Sequence, residues 1–176
     1  MQTTKASNRY AKALFEKAIE KNSIDQVLAD LKLILTHLNE ETALVSLVKN
    51  PIIKKNIKTT IFKKAFGSKI NGITMDFLRL VIAKSRENFL LDMIKKYINL
   101  YNQHNNIRVA QIISAQPLSL ELKESIKQKI NNGGSVELKE KIDKSLLGGF
   151  IIKTGDLQYD ASVKKKINNA KRAFKL

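Results

Sequence analysis

Apolar residues recur at helical spacing through the first hundred residues of the chain. Six segments show this pattern, each separated from the next by a short polar or turn-forming stretch. Their predicted limits are Thr4–Lys21, Ser23–Leu38, Glu41–Lys49, Ile52–Phe66, Ile73–Lys84 and Glu87–Tyr101. Ser23 is a candidate N-cap for the second helix. Short connections between amphipathic helices predict a compact six-helix bundle.

The pattern changes after a polar stretch, Asn102–Asn106, which is the predicted linker. Ile107–Ala115 is rich in β-branched residues and predicts a strand. Ser119 is the candidate cap of a helix that runs to Ile130. Val136–Ile142 alternates apolar with charged residues and predicts a half-buried strand.

A tight hairpin is predicted next, because Gly155 tolerates a positive φ and Asp156 suits turns. Asp160 or Ser162 can cap a last basic helix, Ala161–Ala173. The predicted fold class is therefore mainly α with a small α/β domain. A six-helix N-terminal domain spans residues 1–105, and a β-α-β-β-β-α sheet domain spans residues 106–176.

Composition narrows the function classes. The 176 residues are 43% hydrophobic and include no cysteine, which excludes disulfides and thiolate chemistry. No apolar run approaches the roughly 20 residues that span a bilayer, and the first residues show no signal-peptide core. We expect a protein that is neither secreted nor membrane-spanning.

The formal net charge is +16, and the excess is spread over both predicted domains. No acidic residue occurs between Glu41 and Asp76, a stretch that carries seven lysines. Two alternatives follow from this charge: a basic RNA-binding protein, and a peripheral membrane protein that uses the basic amphipathic helix Ile52–Phe66. A solvated lysine face on a bundle helix explains the same pattern.

Catalytic chemistry has little support in the sequence. His37 and His104 are the two candidate general bases near neutral pH, and neither lies beside a recognisable nucleophile. The paired glycines Gly133–Gly134 and Gly148–Gly149 belong to no phosphate-binding motif and are better explained by turns and close backbone packing. We therefore predict no catalytic residue, no metal site and no cofactor.

Two helices carry more apolar surface than one core requires. On the first helix, a second face lies about a quarter turn from the core arc and includes Ala6, Tyr10, Ala13 and Lys17. The fifth helix is apolar nearly all round. Such a helix is either central in its domain or binds a second partner, and a groove for an amphipathic helix of another protein fits the second case.

Two segments form recognisable motifs: Arg9–Phe15, and a longer one that runs from Lys141–Lys153 through Gly155–Asp156 to Asp160–Lys164. Both resemble motifs of the delta subunit of F-type ATP synthases, a family that includes the mitochondrial oligomycin-sensitivity-conferring protein. The resemblance spans essentially the full chain. It implies a non-catalytic stator subunit, which holds the F1 head to the b-subunit stalk at the cytoplasmic face of a bacterial inner membrane, with plastid or organelle origin left open. No nucleic acid is expected as a partner, and membrane association would be indirect, through the complex.

The resemblance also implies binding residues. The first and fifth helices would form a groove for the N-terminal helix of an alpha subunit, at Ala6, Tyr10, Ala13, Lys17, Phe77, Leu80, Val81 and Lys84. The second domain would meet the b subunits at Leu147, Phe150, Val163, Lys164 and Ile167. The last helix has three lysines, Lys164–Lys166, where the family commonly has an arginine-rich sequence, so charge is kept without the planar guanidinium.

Overall fold

The computed structural model describes residues 5–131, 133–155 and 157–173, without the side chains of residues 42, 43, 47, 49 and 170–173. It divides into two compact units, residues 1–101 and 102–176. The predicted fold class, mainly α-helical with a small sheet domain, is confirmed. Thr4 and Asp156, which belong to the predicted first helix and hairpin turn, lie outside the described residues.

All six predicted helices of the first unit are present. They are α1 (Lys5–Glu20), α2 (Ile24–Glu40), α3 (Thr42–Lys49), α4 (Lys55–Phe66), α5 (Gly72–Ala83) and α6 (Leu90–His104), with a 3-10 turn at Glu87–Phe89 ahead of α6. Their apolar faces share one core. Phe15 and Tyr97 meet there edge to face, 5.5 Å between ring centroids, and the Tyr97 hydroxyl donates to the Ile24 carbonyl at 3.2 Å. Burial raises the pKa of Tyr97.

Ser23 was predicted to cap α2, and this prediction is wrong. Its side chain accepts no capping hydrogen bond, and its buried hydroxyl has no partner in the part of the chain that the structure describes. The backbone explains why: Asn22 adopts a positive φ of 49°, and the Ser23 N–H donates to the Ala18 carbonyl to close α1. With ψ at 24°, Ser23 lacks the extended backbone that an N-cap needs.

Several other helix limits also differ from prediction, and hydrogen bonds or backbone angles explain two of them. α4 begins at Lys55 rather than Ile52, because the Asn50 side chain accepts from the Ile52 N–H and holds a turn. α6 continues to His104, three residues into the predicted linker. Polar residues without glycine or proline do not stop a helix, and this one ends only where Asn106 takes a φ of 52°.

A buried ion pair interrupts the lysine-rich stretch. Lys58 of α4 is 2% exposed, and its Nζ lies 2.5 Å from Glu87 Oε1 and 3.1 Å from the Val48 carbonyl oxygen. The expected solvated lysine face of α4 therefore does not include Lys58. The pair joins α4 to the end of α3 and to the turn before α6.

The second unit has the predicted order β1-α7-β2-β3-β4-α8. Its elements are β1 (Ile107–Ser114), α7 (Leu120–Ile130), β2 (Ser135–Ile142), β3 (Phe150–Thr154), β4 (Leu157–Asp160) and α8 (Val163–Ala173). The sheet order is β2-β1-β3-β4, with β1 parallel to β2 and antiparallel to β3. Ile112 of β1 and Ile126 of α7 are buried between sheet and helix. The Ser119 hydroxyl caps α7, as predicted, by accepting from the Leu122 N–H.

The start of α8 is tied to the segment before β3. The Ser162 hydroxyl caps α8 by accepting from the Lys165 N–H at 3.3 Å, and Asp160 accepts from the Ser162 N–H at 2.9 Å. Gly149 has a φ of 76°, and a Cβ there would come within 2.4 Å of the Ala161 carbonyl oxygen. The expected close backbone packing at this glycine pair is confirmed.

Candidate partner-binding groove

An open apolar groove lies between α1 and α5, with a cavity volume of about 350 Å³. We call it the α1–α5 groove. Its lining residues are Tyr10, Ala13, Leu14, Lys17, Ile73, Asp76, Phe77 and Leu80. Most of this lining is apolar, which suits the apolar face of another helix.

The groove exists because α1 has two apolar arcs. Ala11, Leu14, Phe15 and Ala18 are buried in the bundle core. Tyr10, Ala13 and Lys17 lie on the neighbouring arc, outside that buried set. They form the first wall of the groove and remain available to a partner.

The second wall comes from α5. Phe77 is buried against the core and still lines the groove, whereas Leu80 is 48% exposed. Exposure of a large aliphatic side chain to water is unfavourable, so a partner that buried this side chain would gain binding free energy. Leu80 is therefore the strongest candidate anchor on this wall.

Hydrogen bonds fix the beginning of α5. Asn71 caps the helix by accepting from the Ile73 N–H. The carboxylate of Asp30 on α2 accepts from the Asn71 N–H and from the Thr74 hydroxyl, both at 2.7 Å. Asp30 and Thr74 are both buried, so these bonds hold the second wall in place against α2.

Arg86 borders the groove through its contact with Tyr10, and the sequence analysis did not predict it. Its guanidinium carbon lies 5.5 Å from the centroid of the Tyr10 ring, at the end of the groove where α5 finishes. Ser85, with a φ of 53°, makes the left-handed turn, and the Arg86 N–H donates to the Val81 carbonyl. The sequence does indicate a turn after the predominantly apolar α5. It does not indicate that Arg86 contacts Tyr10, which lies 76 residues earlier in the chain.

Five of the eight residues predicted for the alpha-subunit site line this groove: Tyr10, Ala13, Lys17, Phe77 and Leu80. Three do not. Val81 is 1% exposed and belongs to the core, because its position on α5 points inward beside Leu78. Ala6 is half-buried one turn before Tyr10, and Lys84 is an exposed C-cap residue of α5.

The predicted stalk residues of the second unit lie in two places. Leu147, Val163 and Ile167 are exposed apolar side chains, and Gly148 accepts from the Val163 N–H at 3.0 Å, which brings the first two close along the backbone. Lys164 is exposed on α8. Phe150 instead lines a second apolar cavity, of about 480 Å³, with α7 and β4 residues such as Ile126 and Tyr159.

A family model described as "ATP synthase delta (OSCP) subunit" matches residues 6–174 of the chain. The chain belongs to this family. A protein of Cytophaga hutchinsonii named ATP synthase subunit delta is 34% identical over 99% of the chain and 96% of its own length. One of the same name from Parvibaculum lavamentivorans is 38% identical over 96% of the chain and 89% of its own length. Family membership agrees with the predicted stator function.

Solved structures share the fold of this delta/OSCP family member. A chain of the Toxoplasma gondii mitochondrial ATP synthase superposes with a TM-score of 0.78 over 98% of this chain and 99% of its own, at 20% identity. A chain of the Polytomella F-ATP synthase covers 59% of this chain and 92% of its own, with a TM-score of 0.53 and 21% identity. These likenesses concern the fold alone.

His37 of this delta/OSCP chain makes its contacts within the helical unit. A His37 ring nitrogen lies 2.9 Å from the Leu33 carbonyl oxygen, and the ring packs edge to face on Phe66. Among the described residues, no group of three or more His, Cys, Asp or Glu side chains is arranged to hold a metal ion. No described helix is both long and apolar enough to cross a membrane.

Proposed function

We propose that the chain is the stator clamp of an F-type ATP synthase, with the α1–α5 groove receiving the N-terminal helix of an alpha subunit. The single observation that carries this is the groove itself, whose apolar lining includes Tyr10 on one wall and Leu80 on the other. An amphipathic helix binds such a groove through apolar residues spaced three or four apart. Membership of the delta/OSCP family supports the choice of partner.

The second unit would meet the b subunits of the peripheral stalk. Val163 and Ile167 are both exposed and stand four residues apart on α8, so they share one face of that helix. Lys164 beside them offers a cation to stalk carboxylates, and Leu147 and Phe150 complete the proposed contact set. The proposed domain limits, 1–105 and 106–176, assign one partner to each domain.

In this role the chain performs no catalysis and binds no cofactor. Its work is to keep the F1 head from turning with the rotor, at the cytoplasmic face of a bacterial inner membrane. Slow dissociation matters for this task, and slow dissociation is what buried apolar anchors provide. The described residues add no observation in favour of RNA binding, which remains the alternative that the net charge raised.

Co-purification of the tagged full-length chain from solubilised membranes tests the function. We expect F1 subunits and b subunits to be recovered together with it, in fixed proportion. Recovery of RNA in place of these subunits would contradict the proposal. Filter binding at two salt concentrations separates a specific RNA complex from generic polycation behaviour, for which affinity falls steeply with salt.

A further inference from the structure

The two ends of the α1–α5 groove differ in charge. Arg86, just after α5, lies over Tyr10 of α1, so the C-terminal end of α5 faces the N-terminal part of α1. Lys17 is seven residues beyond Tyr10, or about 10 Å along α1 at 1.5 Å per residue. The groove therefore has a Tyr10 end and a Lys17 end, and Asp76 lies on α5 toward the Lys17 end.

Charges at the Lys17 end are paired within the chain. Lys17 Nζ lies 3.0 Å from Glu20 Oε2, and Asp76 Oδ1 lies 3.0 Å from an Arg79 nitrogen. The hydrogen bond and charge of Lys17 lower the pKa of Glu20, as expected for a paired carboxylate. Each of these two pairs is neutral overall, and Lys21, which also lowers the pKa of Glu20, is a further cation placed near them.

The Tyr10 end carries two cations without such partners. Arg86 and Lys84 are both exposed, and neither takes part in any of the ion pairs found among the described residues. Contact of the Arg86 guanidinium with the Tyr10 ring limits its freedom before a partner arrives. A guanidinium held in this way keeps in-plane N–H groups for a carboxylate, and less side-chain entropy is lost when one binds.

We infer that Arg86, together with Lys84 at the C-cap of α5, forms a carboxylate-binding site that borders the Tyr10 end of the α1–α5 groove. The partner that fits is an amphipathic helix whose aspartate or glutamate residues cluster toward one end, and that end lies at Tyr10. Arg86 is then a specificity residue that sets the direction of the bound helix. The inference rests on the proposed function, because it assigns chemistry and direction to the same helix.

The test uses two synthetic peptides and the full-length protein. The first peptide covers the N-terminal 25 or so residues of the alpha subunit encoded in the same genome, and the second replaces each Asp and Glu in it by Asn and Gln. Titration calorimetry at low salt should give about fivefold tighter binding for the carboxylate peptide, the scale expected of exposed charge pairs. The double variant Arg86→Gln/Lys84→Gln should bring this ratio close to one.

A matched control tests whether the overall positive charge of the protein explains the preference for the carboxylate peptide. Lys63→Gln/Lys64→Gln lowers the net charge equally on exposed side chains of α4, which lines no part of the groove. This control should keep the ratio of the wild-type protein. Equal affinity of the two peptides for the wild-type protein, or an equal loss of the ratio in both double variants, would overturn the inference.

Failure of the proposed function has a different signature. If Leu80→Asp leaves the affinity of both peptides unchanged, the groove is not the binding site, whatever the charge ratio. Direction has its own readout: a nitroxide at the carboxylate-rich end of the peptide should broaden the NMR signals of Tyr10 more than those of Ile73. The reverse pattern would contradict the proposed direction while leaving the groove intact as the site.

Discussion

Lys58 and Glu87 form an ion pair inside the helical unit, with 2.5 Å between Nζ and Oε1 and both side chains almost fully withdrawn from solvent. Among the described residues, Glu87 Oε2 has no hydrogen-bond partner. The desolvation of two charges offsets much of their attraction, so the pair adds little net stability over apolar residues of similar size. Removing one partner is a different matter, because it leaves a buried charge unpaired.

We therefore expect Lys58→Met to lower the free energy of unfolding by about 3–5 kcal/mol. The double variant Lys58→Met/Glu87→Met should recover more than half of that loss. Urea unfolding followed by circular dichroism measures both. Lys64→Met, on the exposed face of α4, should change stability by less than about 0.5 kcal/mol. A single and a double variant of equal stability would contradict this account.

The pair also shows what the sequence leaves undetermined. Helical periodicity predicted all six helices, and β-branched or alternating segments predicted the chain order of the second unit's elements, because each depends on the local pattern of residues. The order of the strands within the sheet was not predicted. Lys58 and Glu87 are 29 residues apart, and Tyr10 and Arg86 are 76 apart, so their contacts depend on how helices pack. Ser23 failed as a cap for a similar reason: the end of α1 decides its backbone angles.

Leu80→Asp should weaken binding of the alpha-subunit N-terminal peptide by at least about tenfold, since it puts a charge where an apolar anchor is expected. Tyr10→Asp should act in the same direction. Titration calorimetry with the full-length protein measures the affinity. Leu120→Asp is the matched control, because Leu120 is 79% exposed on α7, in the other unit. Unchanged peptide affinity in the Leu80 variant would contradict the assignment of the α1–α5 groove as the peptide-binding site.

Asp30→Ala should destabilise the helical unit by about 2–3 kcal/mol, because it removes the acceptor for the Asn71 N–H and the Thr74 hydroxyl. Amide hydrogen exchange should be accelerated more at the first turn of α5 than in α6. Asp30→Ala/Thr74→Val should be less destabilised than the sum of the single variants, since the donor left unpaired is gone. Uniform acceleration over all helices would argue against a local role.

Gly149→Ala should destabilise the second unit, or prevent it from folding, because the added Cβ would meet the Ala161 carbonyl and φ is positive. A loss of about 2 kcal/mol or more is expected for such strain. Gly72→Ala is the control: nothing lies within 4 Å of its Cβ position, and its φ is not in the positive range. Thermal unfolding of the full chain should show a lower midpoint for the Gly149 variant. The midpoint of the Gly72 variant should not fall.

Acid should weaken the second unit through Asp160. Hydrogen bonds from Ser162 hold the pKa of Asp160 below its ordinary value of 3.8. Because the folded-state pKa is the lower one, this contribution to stability is present above pH 3.8 and is lost as the pH falls through the folded-state value. Asp160→Asn should therefore show a smaller drop in urea midpoint between neutral pH and about pH 3. A drop equal to that of the wild-type protein would contradict the role of this carboxylate.

The tie between α8 and the segment before β3 has a mechanical consequence. The Ala161 N–H donates to the Phe150 carbonyl and the Val163 N–H to the Gly148 carbonyl, so backbone pairing continues past β4 to the first residue of α8. A tensile load applied to α8 would reach these two bonds before it could peel the edge strand β4 from β3. In a subunit that resists torque, α8 would then transmit the load through these two backbone hydrogen bonds into β3, a central strand of the sheet, rather than through β4 alone.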